Sequence, residues 1–420
     1  MSQPIRVVVV DDSALMRRLI TGLLERDPAI HVVGAARDGR EAIALVEELR
    51  PDIVTMDVRM PVMDGLATTE HLMAYCPTPI LVLTASLASY EVDITFRMLD
   101  AGALEVVEKP RNDNPHAIER AGYDLIRRIK MLARVKVVTH LRGRRKAGDG
   151  AEPHPIKEAR RAEEGAGVPR PRLTTAAALR AAAPITMPRE TAPIARSRNG
   201  GASAVRAGVH QPAHTARVAP RYDFPLIVIG ASTGGPRVVH QILSDLPRGL
   251  SAAVLVVQHI AAGFSVGMTE WLSSASALPV RLAHEGYAIR AGEVLVAPDQ
   301  RDLLITAEGT VHLNENPLLI QRPAIDVTMQ AAAEVFGHHA IGVLLTGMGR
   351  DGAYGMLTIR RSGGYTIAQD EVSSAIFGMP RAAIQLGAAV EVLPPSRIAA
   401  RLTEVLAERA QAASAHRKSV

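Results

Sequence analysis

Leu226-Ile227-Val228-Ile229-Gly230-Ala231-Ser232-Thr233-Gly234-Gly235-Pro236 carries an unbroken apolar run into a glycine-rich turn. It reads as a buried strand that turns sharply into a helix. The glycines permit the turn, Ser232 is lifted above the sheet edge, and free N–H groups at the helix start can face a negative charge. Taken alone, the string suits either a nucleophile beside an oxyanion site or a phosphate cradle. The other strand ends decide between them.

Downstream, strands read at Ala253–Val257 and Ile341–Leu345, with shorter ones at Val294–Ala297, Leu303–Ile305, Tyr365–Ala368 and Ala389–Val392. The second strand runs into Gln258-His259 and the third into Thr346-Gly347-Met348-Gly349-Arg350-Asp351-Gly352. In a parallel sheet with right-handed crossovers these ends share one edge, so Ser232, His259 and Asp351 can meet. Serine is a weak nucleophile at neutral pH. His259 can take its proton and pass it to a leaving group, while Asp351 fixes the imidazole tautomer. Backbone N–H groups near Thr233 and in the Gly347–Gly352 turn are candidates for an oxyanion hole. Singly, each residue has a plainer reading: Ser232 as a cap, His259 as a core histidine, Asp351 as the N-cap of a helix holding Met356 and Leu357. Their conjunction at three strand ends favours the triad. His284, His312, His338 and His339 sit at no comparable place and read as structural, and Asp326 reads as a helix cap.

The N-terminal part repeats a strand-helix unit five times, with strands at Ile5–Val10, Ile30–Ala35, Asp52–Asp57, Pro79–Thr84 and Ala103–Val107. Ser13 is placed to cap a helix with Leu15, Met16, Leu19, Ile20, Leu23 and Leu24 on one face. Such units imply a (βα)5, flavodoxin-like parallel sheet with its ligand site at the C-terminal strand ends. Those ends carry Asp11, Asp12, Asp57, Thr84 and Lys109. Converging carboxylates repel, and a hard cation such as Mg²⁺ relieves the repulsion. Asp57 can then become an aspartyl phosphate, with Lys109 and Thr84 positioned for phosphoryl oxygens.

Two cores of ordinary size fit comfortably in 420 residues that are 47% hydrophobic. A single cysteine, Cys76, excludes a disulfide framework and a cysteine-based zinc site and points to a reducing, cytoplasmic setting. The start of the chain has no signal-peptide pattern, and membrane insertion is not expected. The charge is uneven. The 83 residues from Thr139 to Arg221 hold 16 Lys or Arg against 6 Asp or Glu, +10 in a chain whose net charge is +5. That stretch has no Phe, Tyr or Trp and reads as a disordered basic linker. We therefore expect a first α/β domain at 1–134, a linker at 135–222, a second α/β domain at 223–410 and a disordered tail at 411–420. A nucleic-acid or acidic-surface tether is the sharper reading of the arginines and a solvated spacer the plainer one. Without stacking aromatics or a helix-turn-helix pattern, no DNA partner is expected.

Val9-Val10-Asp11-Asp12-Ser13, Asp57 to Gly65, Thr84-Ala85 and Lys109-Pro110 resemble a response-regulator receiver domain. The resemblance makes Asp57 the phosphoacceptor, gives Asp11 and Asp12 a share in Mg²⁺, and implies a histidine kinase as phosphodonor. Receivers often carry an aromatic switch residue three positions before the lysine; here that residue is Val106. In the second domain Gly230-Ala231-Ser232-Thr233-Gly234 fits G-x-S-x-G, but the order serine, histidine, acid differs from that of α/β-hydrolases. With Arg322-Pro323, Ala368-Gln369 and Phe377-Gly378-Met379-Pro380-Arg381, it resembles the protein-glutamate methylesterases of bacterial chemotaxis. The implied fold is a doubly wound, mainly parallel α/β domain. The implied activity is hydrolysis of glutamate γ-methyl esters on methyl-accepting chemoreceptors, with glutamine deamidation. Ser232, His259 and Asp351 inherit the triad, Thr233 and Met348 match positions near the oxyanion and substrate, and no cofactor is expected in this domain. The unphosphorylated receiver of such proteins covers the active site. A long flexible tether lowers the effective concentration of one domain at the other by only ~0.6 kcal/mol per doubling, so autoinhibition is expected to be weakened, not abolished. The alternatives are a non-enzymatic response regulator with a nucleic-acid-binding segment, and an esterase for another methylated substrate.

Overall fold

The computed structural model describes residues 3–85, 89–110, 115–135, 137, 222, 224–315 and 322–419. Apart from Val135, Val137 and Tyr222, the linker expected at 135–222 lies outside the described residues.

Five strands, β1 (Ile5–Val10), β2 (Ile30–Ala36), β3 (Ile53–Asp57), β4 (Ile80–Thr84) and β5 (Glu105–Glu108), form a parallel sheet in the order β2-β1-β3-β4-β5. β1, β3 and β4 are apolar along most of their length because helices cover both faces. Ser13 caps the first helix, Ala14–Leu24, by accepting the Met16 N–H at 3.3 Å. Ile20, Leu23 and Leu24 are buried as expected, but Leu15 is 75% exposed. Five residues before Ile20, it lies about 140° round the helix and off the core stripe.

The second sheet has seven strands: β6 (Leu226–Ala231), β7 (Ala253–Gln258), β8 (Val280–Leu282), β9 (Val294–Val296), β12 (Ala340–Leu344), β13 (Tyr365–Gln369) and β14 (Glu391–Leu393). All pair in parallel, in the order β14-β13-β12-β6-β7-β9-β8. β10 (Asp302–Ile305) and β11 (Val311–Asn314) make a separate antiparallel hairpin. The doubly wound, mainly parallel architecture is therefore present, with two short strands, β8 and β11, that the pattern of residues did not reveal. The last helix runs Pro395–Ser419, past the limit at 410 set from sequence. Among the described residues no helix is long and apolar enough to cross a membrane.

The strand order reverses beside β6, whose neighbours are β7 on one side and β12 on the other. A crevice opens outside the carboxyl ends of strands at such a switch point, and the three expected catalytic residues follow these three strands. Close packing fixes the crevice floor. A methyl group on Gly230 would sit 2.3 Å from Cγ2 of Ile325, in the helix Ile325–Phe336. Gly230→Ala is thus expected to destabilise the chain by about 1–3 kcal/mol in chemical denaturation, the cost of overpacking a core. Wild-type stability would show that this helix does not press on β6.

Candidate active site

His259 and Asp351 meet across the switch point. Nε2 of His259 lies 2.7 Å from Oδ2 of Asp351, and both side chains are largely buried. The carboxylate is also fixed from behind. Oδ2 accepts the Ile325 N–H at 2.8 Å, and Oδ1 accepts the N–H groups of Asp326 at 2.9 Å and Gly352 at 3.0 Å. Two of these donors open the helix Ile325–Phe336, whose N-terminus favours negative charge. Burial alone would raise the Asp351 pKa, but the bonds from His259, Asp326 and Ile325 outweigh it and hold the carboxyl below its ordinary value. An ionised Asp351 only accepts, so Nε2 carries the proton and Nδ1 is the basic nitrogen of the ring.

Ser232 enters from β6. Its N–H donates to the Thr346 carbonyl at 3.0 Å, and the His259 N–H donates to the Ala231 carbonyl at 3.0 Å. Nε2 of Gln258 donates to the carbonyls of Ser232, at 2.8 Å, and His259, at 3.0 Å. The Thr346 hydroxyl donates to the Thr233 carbonyl at 3.0 Å and accepts the Ile376 N–H at 2.9 Å. Gln258 and Thr346 thus lock the turn that carries the serine to the ends of β7 and β12. Both stand in the strand-end strings, but their locking role is invisible in the sequence, because each acts through bonds that only the sheet order creates. Gly347 is a second tight point, since a methyl there would lie 2.6 Å from Cβ of Ser232.

Ser232, Thr233, His259 and Met348 line one cavity of about 420 Å³. Some of the expected oxyanion donors are engaged elsewhere: the Gly347 N–H binds the Ile376 carbonyl and the Gly352 N–H binds Asp351. The N–H groups of Thr233 and Met348 remain as candidates on the cavity wall. Asp326, read from sequence as the cap of its own helix, has a different role. It is the second residue of that helix, and its Oδ1 accepts the Gly355 N–H at 2.7 Å, at the start of the neighbouring helix Ala353–Arg361. The cap is supplied across two helices, which linear spacing does not show.

A nucleophile turn, a histidine and an ionised aspartate on three adjacent strand ends can support acyl transfer. The CheB methylesterase family model matches residues 227–402, and the response regulator receiver domain model matches residues 7–121. A protein-glutamate methylesterase/protein-glutamine glutaminase of Symbiobacterium thermophilum is 39% identical over 407 residues, covering 97% of this chain and 98% of that protein. Proteins of the same designation from Anaeromyxobacter dehalogenans and Geobacter metallireducens are 38% and 36% identical, each over 96% of this chain and over 97% and 100% of their own lengths. The chain belongs to the protein-glutamate methylesterase/protein-glutamine glutaminase family.

In this methylesterase the receiver lies against the mouth of the site. Phe96, Leu104, Glu105, Val106 and Arg128 line the same cavity as Ser232 and His259. The Thr233 hydroxyl donates to Oε2 of Glu105 at 2.9 Å, and the Gly234 N–H donates to the Leu104 carbonyl at 3.2 Å. Oε1 of Glu105 pairs with Arg128. Phe96 stacks on Trp271 with ring centroids 5.2 Å apart, and His240 stacks on Trp271 at 4.2 Å. Val106, three positions before Lys109, lines the same cavity.

In the receiver, Asp11, Asp12 and Asp57 offer carboxylate oxygens within 4.8 Å of one another, a donor set that suits a hard divalent cation. Nζ of Lys109 sits 2.7 Å from Asp11 and 2.8 Å from Asp57. Burial pushes the Asp57 pKa up to about 6 against the pull of Lys109. Thr84 ends β4 and is buried, beside the Lys109 backbone, whose N–H donates to the Thr84 carbonyl at 2.8 Å. Every site residue expected from sequence therefore falls at one of two strand-end clusters.

Burial and the nearby Asp351 charge push the Asp326 pKa up from its ordinary 3.8 to about 6, despite the Gly355 N–H it accepts. The folded chain then holds this proton more tightly than the unfolded one. Its contribution to stability is fully present below about pH 4 and is lost as pH rises to about 6. Asp326→Asn removes that titration, so wild type should lose stability relative to the variant between pH 4 and 6 in denaturant unfolding. A constant difference across that window would contradict the assignment.

Proposed function

We propose that this chain hydrolyses glutamate γ-methyl esters on the cytoplasmic helices of chemoreceptors, and deamidates glutamines there, with Ser232 as nucleophile, under control of Asp57 phosphorylation. The observation that carries the chemistry is the 2.7 Å contact of an ionised Asp351 with His259, which directly follows the strand paired with that of the Ser232 turn. The names of the nearly full-length relatives support the substrate class.

Ser232 Oγ attacks the γ-carbonyl carbon while Nδ1 of His259 takes its proton. The N–H groups of Thr233 and Met348 receive the developing oxyanion. As the intermediate collapses, His259 gives the proton to the departing oxygen and methanol leaves; for an amide the same step releases ammonia. Water, deprotonated by His259, then attacks the acyl-serine carbonyl and frees the glutamate carboxylate and Ser232. Asp351 stabilises the imidazolium at both stages and does not itself take the proton.

Control begins at the other strand-end cluster. Asp57 accepts a phosphoryl group from a histidine kinase. Asp11, Asp12 and Asp57 would hold Mg²⁺, which supplies charge neutralisation for the acceptor and the incoming phosphoryl oxygens. Lys109 exchanges its two carboxylate partners for a phosphoryl oxygen, and the Thr84 hydroxyl takes another. Both residues border β5, where Thr84 pairs with Glu108. Leu104, next to β5, and Glu105 within it meet the Ser232 turn, so a shift of this strand changes access to the site.

The test is methanol release from methylated receptors with and without a phosphodonor. Wild type is expected to accelerate on phosphorylation, and chelation of divalent cations should abolish the acceleration while leaving the basal rate. Ser232→Ala should release no methanol, and Asp351→Asn should lose roughly three to four orders of magnitude in kcat. Release by Ser232→Ala at the wild-type rate would refute the assignment.

A further inference from the structure

We propose that Glu105 is a built-in mimic of the reaction product: its γ-carboxylate occupies the subsite at the Ser232–Thr233 turn that receives the γ-carboxyl group of a receptor glutamate. This inference rests on the esterase reading and deepens it. Covering a site requires only bulk, but here the covering residue presents the same functional group that the reaction releases. Oε2 of Glu105 accepts the Thr233 hydroxyl at 2.9 Å, one residue from the nucleophile, inside the cavity that Ser232 and His259 line. The adjoining Leu104 carbonyl takes the Gly234 N–H at 3.2 Å. Two donors of the nucleophile turn are thereby spent on consecutive receiver residues, as donors would be spent on a bound acyl group and its backbone.

A carboxylate so placed needs a counter-charge, because burying it unpaired would cost several kcal/mol. Arg128, on the last receiver helix, supplies it by pairing with Oε1. Burial lowers the Arg128 pKa to about 10, still far above neutrality, so the pair is charged under working conditions. Arg128 is anchored in turn by Asp124, whose Oδ2 accepts its Nε–H at 2.7 Å. One oxygen of Glu105 is thus held by its own domain and the other is offered to the catalytic turn. A ligand tethered in this way competes with substrate: it raises the apparent KM and leaves kcat untouched.

The stacked pair Phe96 and Trp271 separates this effect from a general loosening of the domains. Trp271 is the only tryptophan in the chain and lies in the catalytic domain, whereas Phe96 belongs to the receiver. Its emission therefore reports docking independently of Glu105. The experiment uses the unphosphorylated full-length chain, N-acetyl-glutamate γ-methyl ester as a small probe, methanol release as readout, and Phe96→Ala as the undocked reference.

Glu105→Ala is expected to lower KM roughly tenfold, the scale of a hydrogen bond to a charged group, with kcat and Trp271 emission at their wild-type values. Glu105→Asp, which keeps the charge but shortens the reach by one methylene, should lower KM alongside it. A wild-type KM in either variant would overturn the proposal. So would a fall in KM accompanied by the Trp271 shift of Phe96→Ala, because Glu105 would then be docking glue and not a ligand. Failure of phosphorylated wild type to hydrolyse the ester, with methanol still released from methylated receptors, would also overturn it while leaving the esterase reading in place.

Discussion

The hydrogen bond between Nε2 of His259 and Oδ2 of Asp351 organises the catalytic domain. It works only if Asp351 stays ionised inside the protein, and the fold is arranged to that end. The residue sits after β12 at the switch point, and the first N–H groups of the helix Ile325–Phe336 close on its carboxylate. Gly230 and Gly352 lack side chains where Ile325 of that helix presses in, since a methyl at Gly352 would lie 2.8 Å from Cγ2 of Ile325. Asp326, the next residue, turns away to cap the helix that follows Asp351. Two helix starts and two carboxylates therefore interlock behind one histidine. The arrangement trades the cost of burying charge for a single imidazole tautomer, which the proposed acyl transfer needs.

The same economy of position links the two domains. Each sheet gathers its chemistry at the carboxyl ends of its strands, as parallel α/β sheets do. In the receiver, the carboxylate cluster and Lys109 lie at one end of β5, while Leu104 and Glu105 at the other reach the Ser232 turn. Only a few residues of β5 separate the carboxylate cluster around Asp57 from the contact with the Ser232 turn. Val106, between them, has no ring to swing, so the control proposed above runs through the strand, which pairs with Thr84, and not through an aromatic rotamer. The contact itself is made by β5 and by the helix bearing Phe96.

Much of this was legible in the sequence, and the reason is periodicity. Short apolar runs rich in Val and Ile and ended by turn residues, such as Leu226–Ala231 and Ala253–Gln258, read as strands buried on both faces, which puts the polar residues just after them at the sheet edge. That logic singled out Ser232, His259, Asp351 and the receiver's acids, which the structure places at two strand-end clusters. It failed where the signal is short or non-local. Val280–Leu282 has too few residues to show a period, and Val311–Asn314 is a four-residue hairpin strand with half-buried neighbours. Leu15 belongs to the apolar composition of its helix but not to the phase of its buried stripe. Asp326, Gln258, Thr346 and Glu105 are defined by partners on other strands, on another helix or in the other domain, and no linear spacing encodes those.

The most direct test of the central claim, a single activated serine whose access the receiver governs, is the rate of covalent labelling by a small fluorophosphonate, read by mass spectrometry of the full-length chain. The account predicts one label, on Ser232, forming faster once Asp57 is phosphorylated and absent when His259 is replaced by glutamine. A label on another residue, or a Ser232 label whose rate ignores phosphorylation, would contradict it.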